Sequence, residues 1–285
     1  MENLIEIAHL CKQYGAFSLK DVNLTLPAGS IVGLIGENGA GKTTTLKSLL
    51  GLIRPDEGQI NLMGLDAQKE GVRAHREIGV VLDECCFHEH LTPAHLERIL
   101  SPLFPSWDPA YYAALLRRFA LDPTKCVKAL SRGMKTKLSL ACAMAHHPRL
   151  LILDEATSGL DPVVRSEMLD LFLEFIQDDS RGILMSTHIT TDLERVADYI
   201  VLLQHGQVRL AGEKDQMLER FAVAQLHQGE EASIRSADRG PLRRHGFGAE
   251  MLVADRRAFS RAYPHIPLNR ATLDDIMVFY GKGEM

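Results

Sequence analysis

The sequence predicts an α/β protein with a mostly parallel sheet, and three observations carry that expectation. The apolar run at 31–35 leads directly into Gly36-Glu37-Asn38-Gly39-Ala40-Gly41-Lys42-Thr43, followed by a helix-like segment through Leu46, Leu49 and Leu50. A second apolar run, Leu150-Leu151-Ile152-Leu153, ends in Asp154-Glu155. Strand-like and helix-like segments then alternate, as strands joined by crossover helices do.

Taken in order, Val22, Leu24 and Leu26 alternate with Asn23 and Thr25. This is the period of a strand with one buried face, and Pro27-Ala28-Gly29 turns it. The glycine-rich stretch from Gly36 is a phosphate-binding loop in its required strand-to-helix context. Glycines let backbone N–H groups converge on a triphosphate while the next helix offers its positive end. Lys42 can reach the outer phosphates, and the Thr43 hydroxyl suits a magnesium ion. Pro55-Asp56-Glu57-Gly58 precedes a short strand at 59–62.

From His90 onward Pro93, Pro102, Pro105 and Pro109 punctuate segments rich in Leu, Ala and Tyr, which predicts a helical insertion. Phe87, Leu91, Leu96 and Leu100 predict an apolar groove on it. The strand at 150–153 brings Asp154 and Glu155 to its C-terminal edge, where open α/β sheets bind their ligands. Asp154 suits a magnesium shell, and Glu155 suits activation of a water. A helix through Val164, Met168, Leu171, Phe172 and Phe175 follows, then strands at 183–185 and 199–203.

Composition changes beyond Asp215. Met217, Leu218 and Phe221 suggest a helix, residues 229–244 are charged, and 250–254 reads as a strand. Thr272-Leu273-Asp274-Asp275 resembles a capping box ahead of Ile276, Met277 and Tyr280 at helical spacing. The basic cluster Arg239, Arg243 and Arg244 is short enough to read as a solvated face.

At 285 residues the chain is long enough for one large domain and an appendage, and its formal net charge of -5 gives no general attraction for nucleic acid. No apolar run approaches the ~18 residues of a membrane helix. The opening Met1-Glu2-Asn3-Leu4-Ile5-Glu6 lacks the pattern of a secretory signal, so any membrane role is expected through a partner. Cys11, Cys85, Cys86, Cys126 and Cys142 form no paired zinc spacing and read as reduced thiols. His88, His90, His95, His146 and His147 likewise lack a metal-site framework.

From about Ile5 to Gly212 these residues resemble the ATP-binding subunit of ABC transporters. Leu130-Ser131-Arg132-Gly133-Met134 precedes Asp154-Glu155 as the family signature loop does, and Ser158-Gly159-Leu160-Asp161 looks like its D-loop. His188 occupies the switch position after a strand, and Tyr14 matches the aromatic that stacks on adenine. The resemblance implies a P-loop NTPase core of ABC type over residues 1–214, with a helical subdomain at about 85–147. Residues 215–285 would be an accessory segment that serves dimerisation, regulation or core packing.

It also implies ATP and Mg²⁺ held by Tyr14, Gly36, Glu37, Asn38, Gly39, Ala40, Gly41, Lys42, Thr43, Thr44 and Asp154. Glu155, His188 and Lys42 would be the catalytic groups. In the implied head-to-tail pair of ATPase subunits, identical or different, Ser131 and Gly133 reach the γ-phosphate across the interface, where Ser158 and Asp161 also act. A separately encoded transmembrane permease would hold the pair at the cytoplasmic face of the cell membrane, and no nucleic-acid partner is expected.

Two departures from the family pattern stand out. Arg132 and Met134 replace the third and fifth residues of the usual Leu-Ser-Gly-Gly-Gln, which looks like the branch of exporters for drugs and antimicrobial peptides. Asp83 stands where the family has a glutamine that touches magnesium or the attacking water. It is shorter and anionic: either it accepts from a magnesium-bound water, or it is an exposed loop acid while Glu84 or another group does that work. The competing functions are a soluble ABC-type ATPase and a nucleotide-dependent switch without transport. The single set of ATP motifs, without a long coiled-coil insertion, disfavours the first, and Glu155 and His188 disfavour the second.

Overall fold

The computed structural model describes residues 2–246 and 248–282. Three sheets organise the chain. β1 (Asn3–Tyr14) and β2 (Phe17–Pro27) form an antiparallel hairpin, and β3 (Ser30–Ile35) leads through the glycine loop into α1 (Lys42–Leu49). β4 (Glu57–Leu62) and β5 (Leu65–Asp66) extend the hairpin into a four-stranded antiparallel sheet, and α2 (Ala67–His75) leads to β6 (Ile78–Val81). Helices α3 (Pro93–Leu100), α4 (Pro109–Arg118) and α5 (Arg132–Met144) make up the insertion.

β7 (Leu150–Asp154), α6 (Pro162–Phe175), β8 (Gly182–Thr187), α7 (Thr190–Val196), β9 (Tyr199–Gln204) and β10 (Gln207–Glu213) complete the main sheet. Its order is β10-β9-β3-β8-β7-β6, parallel except for β10. Every residue of β3, β7 and β8 is buried, so these strands read as continuous apolar runs rather than alternations. One face of the sheet packs Ile31, Leu151, Leu153, Ile183 and Met185 against the helical side. The other packs Val32, Leu34, Leu150, Ile152 and Leu184 against the hairpin sheet and α1.

In the insertion, Pro93 and Pro109 sit at the first helical positions, and Thr92 and Asp108 cap α3 and α4. The expected apolar groove takes a different form. Leu96 is buried, while Phe87, Leu91 and Leu100 are partly buried against the core, because the helical period turns Leu96 and Leu100 inward together. The large apolar side chains that this region exposes are Ile99 and Leu103.

α8 (Lys214–Arg220) leads to a third sheet of β11 (Ala222–Leu226), β12 (Leu242–His245), β13 (Gly248–Val253) and β14 (Leu268–Arg270), with α9 (Arg256–Ala262) between the last two and α10 (Leu273–Lys282) after them. The sheet is antiparallel, in the order β12-β13-β11-β14. One face has its own apolar core of Ala222, Ala224, Leu226, Met251, Val253, Phe259 and Ile266. Val223, Leu252, Leu273, Ile276 and Phe279 instead join the cluster that contains Leu193, Ile200 and Leu202 of the main core. Thr272 and Asp275 cap α10 reciprocally, with the Asp275 amide donating to Thr272 Oγ1 at 3.0 Å and the Thr272 amide to Asp275 Oδ2 at 2.9 Å. No described helix is long and apolar enough to cross a membrane.

Candidate functional site

Parallel register brings the acidic strand end to the phosphate loop. β3, β8 and β7 are successive neighbours, so the loop after Ile35, the end of β8 and Asp154 share one sheet edge. The loop and Asp154 border a cavity of about 380 Å³ lined by Glu37, Asn38, Gly39, Gly41, Lys42, Thr43, Thr44, Asp83, Asp154 and Glu155, with Phe17 at its side. Gly41, at φ 113°, opens α1 in a conformation suited to glycine, and a Cβ there would lie 2.6 Å from Leu19 Cδ2. Gly36 and Ala40 are buried beneath the loop. A larger cleft of about 950 Å³ lies between Glu194, α8 and the third sheet, but it contains neither the loop nor the acidic pair.

Inside the smaller cavity, Lys42 Nζ donates to the Gly36 carbonyl at 2.7 Å and stands 3.6 Å from Glu155 Oε1. Thr43 Oγ1 donates to Asp154 Oδ2 at 3.1 Å, while the buried Ser186 hydroxyl bonds Asp154 Oδ1. Glu155 is mostly buried, and its second carboxylate oxygen lies 2.7 Å from His188 Nδ1. Its φ of 51° is unusual for a residue other than glycine. Two backbone bonds hold it there: the Glu155 amide donates to Ser186 O at 2.9 Å, and the Ser158 amide to Glu155 O at 3.0 Å.

Of the expected site residues, Lys42, Thr43, Asp154, Glu155 and His188 converge, and Asp83 lines the same cavity. Ser131, Gly133 and Asp161 do not. They border a separate cavity of about 450 Å³ together with Gly159. Ser131 caps α5 by accepting from the Met134 amide at 3.3 Å, and Asp161 caps α6 by accepting from the Val163 and Val164 amides at 3.1 Å. Tyr14 is half-exposed at the hairpin end under Lys12 Nζ, 5.6 Å from the ring centroid, while its register partner Phe17 faces the phosphate cavity.

Sequence reasoning missed Ser186 and Phe17. Ser186 directly opposes Asp154 in the parallel ladder, and no local motif signals such a pairing. The cysteines are free, and burial pushes the Cys142 thiol up to about 12, which keeps it protonated next to the Tyr112 hydroxyl.

The family model described as "ABC transporter" matches residues 19–158. The chain is 33% identical to "ABC transporter ATP-binding protein YtrB" of Bacillus subtilis over 224 residues, 78% of this chain and 76% of that protein. The chain belongs to the ABC transporter ATP-binding family. "Bacitracin transport ATP-binding protein BcrA" of Enterococcus faecalis is 32% identical over 231 residues, 80% of this chain and 72% of that one. A solved structure titled "Structure of ATP binding subunit of ABC transporter" superposes with a TM-score of 0.67 at 32% identity, covering 75% of this chain and 91% of that one. Members of the family bind and hydrolyse ATP, pair with one another and work with separate membrane components. This ABC ATP-binding chain carries its phosphate loop and acidic strand end around one cleft, with the post-strand histidine bonded to Glu155.

Proposed function

We propose that this chain is a Mg²⁺-dependent ATPase subunit that acts in a head-to-tail pair and drives export through a separate membrane permease. The observation that carries this reading is the convergence of Lys42, Thr43, Asp154 and Glu155 from separate stretches of chain onto one cleft, with His188 bonded to Glu155. The bacitracin-transport name of a relative favours antimicrobial peptides or drugs as cargo. Residues 1–214 form the ATPase unit, residues 85–147 its helical subdomain, and residues 215–285 an accessory unit.

ATP is the substrate. Lys42 now donates to backbone carbonyls of its own loop, and it exchanges these for β- and γ-phosphate oxygens. The amides of Glu37, Asn38, Gly39, Ala40, Gly41 and Thr44 cradle the phosphates, with Gly36 giving the loop its close turn, and Tyr14 stacks on adenine. The donor set around Thr43 fits a hard cation, because a hydroxyl, the buried Asp154 carboxylate and the nearby Asp83 carboxylate are all oxygen ligands. Mg²⁺ supplies neutralisation of phosphate charge when bound. Ser186 fixes Asp154 from behind.

Glu155 accepts the proton of the attacking water, and His188 orients its carboxylate and contacts the γ-phosphate. Lys42 beside Glu155 keeps that carboxylate compensated before substrate arrives. Ser131 and Gly133 border a different cavity from the phosphate loop within one chain, which supports their service to the partner's ATP. Ser158 and Asp161 lie at the same interface.

Glu155→Gln tests the chemistry, because it preserves shape while deleting the base. Single-turnover hydrolysis should fall about 10²–10⁴-fold with ATP binding retained. Near-normal hydrolysis would remove Glu155 from the base role.

A further inference from the structure

Arg132 and Asp83 meet across 49 residues of sequence. Arg132 Nη2 donates to Asp83 Oδ1 at 3.0 Å, and each side chain is about half exposed. Asp83 lies just past the end of β6, and Arg132 opens α5 immediately after the capping Ser131. The guanidinium rests against Gly159, where a Cβ would lie 2.7 Å from Nη1. Gly159 has a φ of 68°, so both its backbone and its missing side chain shape this seat.

The pair is a shared wall between three cavities. Asp83 lines the phosphate cleft with Thr43, Asp154 and Glu155, and it also lines an adjoining cavity of about 370 Å³ with Arg132. Arg132 in turn lines the cavity of Ser131, Gly133, Gly159 and Asp161. Among the residues lining these cavities, Asp83 is common to the first two and Arg132 to the last two.

We propose that Arg132 is a positioning residue that holds the Asp83 carboxylate at the rim of the phosphate cleft and away from the metal site, so that cation binding and the setting of the Ser131 loop are linked. The inference rests on the reading that Thr43 and Asp154 hold Mg²⁺. A carboxylate oxygen bonded to Arg132 is withheld from a cation at Thr43 and Asp154, so the two positive centres compete for Asp83. Linkage makes the competition reciprocal: a bound cation weakens the hold on Arg132, and release of Arg132 strengthens cation binding. An exposed ion pair limits the coupling to about fivefold. That is enough to bias which way Asp83 turns without trapping the chain in one state.

The test titrates Mn²⁺ into the full chain saturated with a non-hydrolysable ATP analogue, following the protein-bound ion by electron paramagnetic resonance. The natural chain, Arg132→Ala, Asp83→Asn and the double variant form a cycle. Arg132→Ala should tighten Mn²⁺ binding about two- to fivefold in the natural background and leave it unchanged in the Asp83→Asn background. Arg132→Gln, which keeps more of the side chain, should repeat the pattern if the alanine variant folds poorly. Equal tightening in both backgrounds would mean that Arg132 acts only as a nearby positive charge, and no tightening in either would mean that the pair does not hold Asp83; each overturns the proposal. Absence of an analogue-dependent Mn²⁺ site in the natural chain would overturn the metal reading itself, and this inference with it.

Discussion

Glu155 is tied on both sides, to Lys42 through one carboxylate oxygen and to His188 through the other. Side chains that act as a unit give non-additive losses. His188→Ala should therefore slow single-turnover hydrolysis, while adding it to Glu155→Gln should cost little more; strictly multiplicative losses would separate their roles. Ser186 supports the same site from below. Ser186→Ala removes a donor to a buried carboxylate and should lower the unfolding free energy in urea by about 1–3 kcal/mol. An unchanged midpoint and slope would show that Asp154 does not depend on that hydroxyl. At this scale the phosphate loop, Asp154, Glu155 and His188 were legible, because each follows a buried strand within a contiguous motif. Ser186 and Arg132 were not legible as partners of Asp154 and Asp83, since those contacts arise from strand register and from the docking of α5.

Element packing explains the helical insertion. His146, just past α5, is fully buried, with Nε2 3.2 Å from the Ile78 carbonyl and its ring stacked 4.1 Å from Phe104. Burial holds its pKa below the ordinary histidine value of 6.5. The unfolded chain then binds the proton that the folded chain refuses, so stability from this group is present above pH about 6.5 and is lost as pH falls below it. Thermal midpoints should drop between pH 7.5 and 5.5, and His146→Gln should flatten that drop; an unaltered pH profile would contradict the assignment. Prolines announced the helical insertion that holds α3 and α4, whereas their caps Thr92 and Asp108 and the inward turn of Leu96 were hidden. An apolar residue at helical spacing marks a buried stripe without saying what covers it.

The whole molecule joins its third sheet to the ATPase core through α10. The Leu273 amide donates to Glu194 Oε1 on α7 at 2.8 Å, and Gln204 on β9 bonds the Tyr280 carbonyl. At Gly281 an added Cβ would lie 2.7 Å from Glu37 Oε1, so the helix runs from the element after His188 to the phosphate loop. Ile276→Ala should destabilise by about 2–5 kcal/mol, with the ATPase core and third sheet melting at a lower common midpoint. A change confined to the third sheet would show that α10 is not part of the main core. The capping box revealed α10, but charge and glycine content concealed most of the sheet before it, whose strands pair across long connections.

In the proposed composite site, Ser131 of one chain serves the ATP held by another. Sedimentation of Glu155→Gln in ATP and Mg²⁺ tests it most directly: the variant should sediment as a dimer, and adding Ser131→Arg, which leaves the phosphate loop untouched, should return it to a monomer that still binds ATP. A dimer that persists with Ser131→Arg would contradict the claim.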